Sequence, residues 1–248
     1  MAASHDAGTR GCYEEAARSL AAGELSCCAP CAPQYFGAAA YPQDELAGLP
    51  RAVIDSAMGC GHPVGAARPR PGEVVVDLGC GTGLDVLLAA RRAGPGGRAI
   101  GVDMTSGLLD LARAYARRAG AANAGFLCAR IERLPLPGGF ADVVLANGAF
   151  SLSPDQPAAF AEACRVLRPG GRFVVSDFIL RDGLDAGQRH EAGRRAGCLG
   201  ALAAAEHLRH LVDAGFATPE VRLDHRIAPG MYLGLVTAER ARPPTTRR

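Results

Sequence analysis

The chain has 248 residues and a formal net charge of +2, with 48% apolar and 21% charged residues. That suits one α/β domain with additions, long enough to bury a proper core. The near-balanced charge gives no electrostatic case for nucleic acid or an anionic membrane. Aromatics at 5% with no Trp argue against a base-stacking surface.

The opening MAASHDAGTR has no apolar core of a secretory signal. No window reaches the length of an apolar membrane-spanning run, and the expected location is cytoplasmic. Nine cysteines in that compartment should be mostly reduced. They then serve as buried small hydrophobes, metal ligands or reactive thiols.

Residues 1–11 and the tail after about Arg240 read as disordered. Residues 1–70 form a cysteine-rich N-terminal extension, broken by prolines, that packs on the core with short helices over about 13–22 and 43–57. It holds Cys12, Cys27, Cys28, Cys31 and Cys60. Residues 71–180 read as the core. The run 74–78 is continuously apolar up to Asp77, the mark of a buried parallel strand. A helix over 84–93, a strand over 98–103 and a helix capped by Thr105 or Ser106 and stopped by Gly120 follow. Strands are expected over 125–129 and 141–146. A helix over 155–167, a turn at 168–171 and a strand over 172–177 complete the core. Strands alternating with helices at this spacing give a doubly wound, Rossmann-like α/β sheet, mostly parallel. Residues 181–240 then carry a partly helical stretch to 201 and a helix over 203–214. Strands over 217–224 and 230–238 should close the sheet as an antiparallel hairpin.

A strand, a glycine turn and a helix hold a nucleotide-like cofactor by close backbone approach and free helix N–H groups. Here the loop is Asp77, Gly79, Cys80, Gly81 and Gly83. Its third glycine falls one place short of the dinucleotide fingerprint. An acid at Asp77 attracts an ammonium group and repels a pyrophosphate. Both departures point to S-adenosylmethionine. Asp103 with Met104 ends the second strand, where a carboxylate can accept ribose hydroxyls. Ile131 and Glu132 follow the third strand, where they can clasp an adenine. Asn147 ends the fourth. All should lie on the carboxyl edge of the sheet.

With these residues in view, 71–180 resembles the class I methyltransferases. The stretch from about 27 to 216 more narrowly resembles the arsenite methyltransferase family. The matching text is Cys27-Cys28, DELAGLP (44–50), SAMGCGHP (56–63), GVDMT (101–105), IERLP (131–135), LSPD (152–155), RVLRPGGR (165–172), SD (176–177), Cys198 with Gly200-Ala201-Leu202, and DAGF (213–216). The resemblance implies a trivalent arsenical held by thiolates, its natural soft ligands, whose lone pair takes the sulfonium methyl in line and leaves S-adenosylhomocysteine. The protein mainly positions the reactants. The implied ligands are Cys60, Cys198 and either Cys28 or Cys27, with Cys60 and Cys198 converging near the cofactor methyl. Disulfide formation between protein thiols would return arsenic to the trivalent state. An external thiol such as thioredoxin or glutathione would then be the partner.

The sequence departs from the family at one place. Gly148 stands where the family has an arsenic-binding cysteine, and glycine supplies no thiolate. Cys60 and Cys198 can still form a two-thiolate site, with Cys28, Cys31 or Cys128 as a third ligand. An acceptor that already carries carbon on arsenic would need only two. The alternatives are a methyltransferase with a carbon, nitrogen or oxygen acceptor, and a thiol protein that binds the metalloid without turnover. Cys80 and Cys164 read as small packing residues. The Cys27-Cys28-x-x-Cys31 cluster has no second ligand pair for zinc. His207 and His210 read as a solvated helix face.

Overall fold

Four of the core strands, β1 (Val74–Leu78), β2 (Arg98–Asp103), β3 (Ala124–Cys128) and β4 (Ala141–Asn147), lie side by side and parallel, as their apolar runs predict. The structure is a computed structural model that describes residues 2–24 and 35–243. Together with β5 (Leu167–Leu180), β6 (Leu202–Ala203), β7 (Phe216–Ala228) and β8 (Met231–Arg240), they form an eight-stranded sheet of order β3-β2-β1-β4-β5-β8-β7, with β6 beside β5. The β7–β8 hairpin closes it antiparallel, β8 pairing with β5 from Arg172↔Glu239 to Leu180↔Met231. The fold is therefore the Rossmann-like α/β sheet expected from the sequence. Strand order reverses between β1 and β4, and the carboxyl ends there open the crevice that holds ligands in such sheets.

The helices are α1 (Ala2–Ala21), α2 (Gln43–Leu46), α3 (Arg51–Asp55), α4 (Pro63–Ala67), α5 (Leu84–Ala93), α6 (Ser106–Arg118), α7 (Gln156–Val166), α8 (Ala186–Ala196) and α9 (Ala204–Asp213). Two aromatic-rich and aliphatic clusters fill the faces of the sheet. On one, the rings of Phe150, Phe160 and Phe173 pack tilted or edge-on, with centroids 4.7–6.0 Å apart. On the other, Val53 and Val64 from the N-terminal extension are fully buried with Val75, Leu87 and Leu88. No helix among the described residues is long and apolar enough to cross a membrane.

Four local expectations change. Residues 2–11 join helix α1, because no proline interrupts an alanine-rich run. The helix expected over 43–57 breaks in two where Gly48 takes φ +78° and Pro50 follows. The 168–171 turn belongs to β5, where Gly170 at φ +76° lets the strand bulge between its partners Ala141 and Val143. Thr105 sits at the start of α6 but makes no side-chain cap; its backbone N–H donates to Asp103 instead.

Candidate active site

The glycine loop takes the shape that only glycine holds cheaply. Gly79, Gly81 and Gly83 have φ of +73°, +51° and +89°. A Cβ on Gly79 would stand 2.5 Å from that of Ala149. The Cys80 thiol packs over Gly101, where a Cβ would lie 2.6 Å from its sulfur. Cys80 thus shapes the loop by packing and lines the cleft as part of it.

Above the loop lies a cleft of about 490 Å3 whose wall includes Asp77, Asp103, Met104, Ile131, Glu132, Asn147 and Gly148. Asp103 accepts from the N–H of Gly81 at 2.9 Å and of Thr105 at 2.8 Å, fixing the loop to the start of α6. Burial raises its carboxyl pKa, against these hydrogen bonds. Glu132 accepts from the Ser153 hydroxyl and pairs with Arg130 at 3.2 Å. Asp77 is buried, and burial holds its pKa well above the ordinary carboxyl value, with Asp85 and Asp103 adding. One oxygen of Asp77, one of Asp85 and the Thr105 hydroxyl are buried with no hydrogen-bond partner among the described residues. All three residues line this cleft. Buried polar atoms are rarely left bare. The two acids fit a ligand that brings a cationic N–H group, and the hydroxyl fits a polar sugar or amine. S-adenosylmethionine carries both.

The thiol end sits across the cleft. Gly59-Cys60-Gly61 presses against β4 and β5: a Cβ on Gly59 would run into the Asn147 amide, and one on Gly61 would stand 2.6 Å from Ser176. Asn147 Oδ1 accepts from the Cys60 N–H at 2.7 Å. The Cys60 thiol donates to the Ser176 carbonyl at 3.5 Å. Burial pushes the Cys60 pKa well up, with the charges of Asp177 and Cys198 adding. Cys198 follows α8, its N–H on the Gly193 carbonyl at 2.8 Å. Burial pushes its thiol up to about 12, with Asp177 adding and the Ser151 hydroxyl opposing. Asp177 is fully buried and accepts from the Ser151 hydroxyl at 2.6 Å, the Ser151 N–H at 3.1 Å and the Phe178 N–H at 2.7 Å. Both thiols are therefore neutral at pH 7, and both line the same cleft.

Cys60 and Cys198 thus share one cleft with the candidate cofactor residues. Cys27, Cys28 and Cys31 lie outside the described residues. Cys128 ends β3 exposed, its sulfur 3.8 Å from the Met104 carbonyl, and is not in the cleft wall. Cys12, exposed on α1, does line the cleft. Among the described residues no group of three His, Cys, Asp or Glu side chains is arranged to hold a metal ion. His207 is not solvated: it is 3% exposed, with Nδ1 3.2 Å from the Ala203 carbonyl and its ring edge-on to Phe160. His210 stacks on the same ring. Sequence reasoning missed Tyr41, Asp85, Ser151 and Asp177 as parts of the site. Asp85 was visible only as an acid in the first turn of α5, where the helix dipole alone accounts for it.

Residues 69–215 match the family model for a methyltransferase domain. The chain belongs to that family, the S-adenosylmethionine-dependent class I methyltransferases. Within it, the chain is 35% identical over 182 residues to the arsenite methyltransferase of Halobacterium salinarum, covering 73% of this chain and 46% of that protein. It superposes on the crystal structure of an arsenic(III) S-adenosylmethionine methyltransferase from Chlamydomonas reinhardtii with a TM-score of 0.71 and 30% identity, over 83% of this chain and 75% of that one. A malonyl-[acyl-carrier protein] O-methyltransferase from Methylococcus capsulatus is 38% identical over 144 residues, 58% of this chain and 50% of that one. The chain spans about half the length of the curated relatives it matches.

Proposed function

We propose that the chain methylates a trivalent arsenical held by Cys60 and Cys198, and that the acceptor is an organic arsenical with one carbon already on arsenic. The observation that supports this reading is that Cys60 and Cys198, both buried, line the cleft that holds the unpartnered acids, while among the described residues no group of three His, Cys, Asp or Glu side chains is arranged to hold a metal ion. In this reading residues 71–180 bind the methyl donor. Segments 1–70 and 181–240 supply Cys60 and Cys198. Phe36, Leu152, Phe178 and Leu199 line the same cleft and give an organic substituent an apolar wall; the Phe36 and Phe178 rings lie 5.8 Å apart, and Leu199 is 59% exposed.

The neutral thiols suit the capture step. Each As–OH bond breaks as an As–S bond forms, and the thiol proton leaves with the hydroxide as water. Two thiols therefore release two waters without any charge being buried. When bound, S-adenosylmethionine supplies an electrophilic methyl, which the arsenic lone pair takes as the S–CH3 electron pair returns to sulfur. Asp77 and Asp85 orient the donor's ammonium end, Asp103 its ribose, and Ile131 with Glu132 its adenine. Positioning of this kind is worth several orders of magnitude in rate. The pentavalent product returns to As(III) as the two thiolates leave as a disulfide, water supplies hydroxide to arsenic and the remaining proton passes to solvent. An external dithiol or glutathione then reduces the disulfide, itself becoming oxidised.

Cys198→Ser tests the reading. Methylation of a monomethyl or aryl arsenite should fall about a hundredfold or more, with S-adenosylhomocysteine binding retained. Unchanged turnover would sink the thiolate mechanism and favour a carbon, nitrogen or oxygen acceptor, for which Gly148 leaves space.

A further inference from the structure

One amide joins the two halves of the site. Asn147 Oδ1 holds the Cys60 N–H at 2.7 Å. Its Nδ2 lies 2.9 Å from the Gly61 carbonyl, 2.9 Å from the Tyr41 hydroxyl and 3.0 Å from Asp85 Oδ2. Tyr41 donates its own proton to the same Asp85 oxygen at 2.8 Å. Two amide protons therefore face three acceptors, and the strongest acceptor decides how they are shared. The other oxygen of Asp85 is buried and unpartnered among the described residues, as is one oxygen of Asp77, and both residues line the same cleft.

We propose that Asp85 is a positioning residue that reads the ammonium end of the bound methyl donor and, through Asn147, fixes the Cys60 loop for the acceptor. The proposal rests on the donor placement argued above. An ammonium on the free oxygen keeps Asp85 ionised. A charged acceptor makes hydrogen bonds about twice as strong as a neutral one. Asn147 is then drawn firmly to Asp85, and its Oδ1 is held on the Cys60 N–H. Burial acts the other way in the empty site, raising the Asp85 pKa to about 6. Coupling of this kind is reciprocal: whatever the donor does to the Cys60 loop, the loop does to donor affinity.

The test compares two ligands that share adenine, ribose and thioether. S-adenosylhomocysteine carries the ammonium; 5′-methylthioadenosine lacks the whole amino-acid end. Each is brought to saturation, verified by calorimetry, so that a failure to bind is seen separately from a failure to couple. Alkylation of Cys60 and Cys198 by iodoacetamide is then followed by peptide mass spectrometry. The proposal expects S-adenosylhomocysteine to slow Cys60 alkylation about fivefold or more relative to methylthioadenosine. In Asn147→Ala that difference should vanish, with S-adenosylhomocysteine again brought to saturation and its occupancy verified. If Asn147→Ala does not fold, Tyr41→Phe should at least halve the difference. Equal rates with both ligands in the unaltered protein would overturn the proposal. So would a difference that persists undiminished in these variants, since that is direct shielding of the thiol by the ligand.

Discussion

A Cβ built on Gly148 would stand 3.6 Å from the Cys60 sulfur and meet nothing else within 4 Å. The missing family thiol would therefore lie beside one that is present. Gly148 has φ +78°, and a side chain there costs about 1–2 kcal/mol. Gly148→Cys should lower the melting temperature by about 2–8 °C, and Gly148→Ala by the same amount. Only the cysteine variant should gain methylation of inorganic arsenite, which then finds three thiolates. A comparison of product yields from arsenite and methylarsenite checks this. Equal gains in both variants would show that the thiol is not what matters.

Asp177 raises both thiol pKa values, after burial. Asp177→Asn removes the charge and keeps a polar group of the same shape. The Cys198 thiol should then titrate below its present value of about 12, and its alkylation at pH 9 should quicken about three- to tenfold. The pH profile of alkylation reads this directly. A profile identical to that of the unaltered protein would mean that the Asp177 charge does not reach the sulfur.

Donor affinity should depend on pH through Asp85. Burial raises its carboxyl pKa to about 6 in the empty protein, whereas an ammonium partner favours the ionised form. Below pH 6 binding must therefore release a proton, and affinity should fall by up to about tenfold for each unit of pH. Asp77, raised further by burial, adds to the slope. Calorimetry with S-adenosylhomocysteine between pH 5 and 7.5 should give a shallower profile for Asp85→Asn. An unchanged slope would remove Asp85 from the ammonium site.

His207 should make the fold acid-sensitive. Its folded pKa is lowered to about 4, chiefly by burial, so the unfolded chain takes up the proton first as pH drops. The stability is fully present above about pH 6.5 and is lost as pH falls towards 4, by about 3 kcal/mol in all. Urea melts at pH 7 and pH 5 should show a larger drop for the unaltered protein than for His207→Gln.

The parallel strands were legible because 74–78 and 141–146 are short runs that are apolar but for Asp77 and Asp142, and the loop after the first was legible by its three glycines, all of which take positive φ. Cys60 and Cys198 were legible only through resemblance; no local pattern marks either. What joins them to the rest of the site was not legible. Tyr41 meets Asp85 across 44 positions, Cys60 meets Asn147 across 87, and Ser151 meets Asp177 across 26. Single polar residues at such separations leave no periodic signal. The RPGG bulge in β5 read as a turn because its composition is that of one. His207 and His210 read as solvated because their spacing is polar on paper, while Phe160 lies beneath both rings.

The central claim is that two thiols present an organic arsenical to the methyl donor. The most direct measurement incubates the protein with S-adenosylmethionine, a thiol reductant and separate trivalent acceptors, namely arsenite, methylarsenite and phenylarsenite, and resolves the products by mass. Methylated product should form from methylarsenite and phenylarsenite, exceed that from arsenite, and disappear in Cys60→Ser and Cys198→Ser while S-adenosylhomocysteine still binds. No methylated arsenic from any acceptor, or product formation indifferent to both substitutions, would contradict the account.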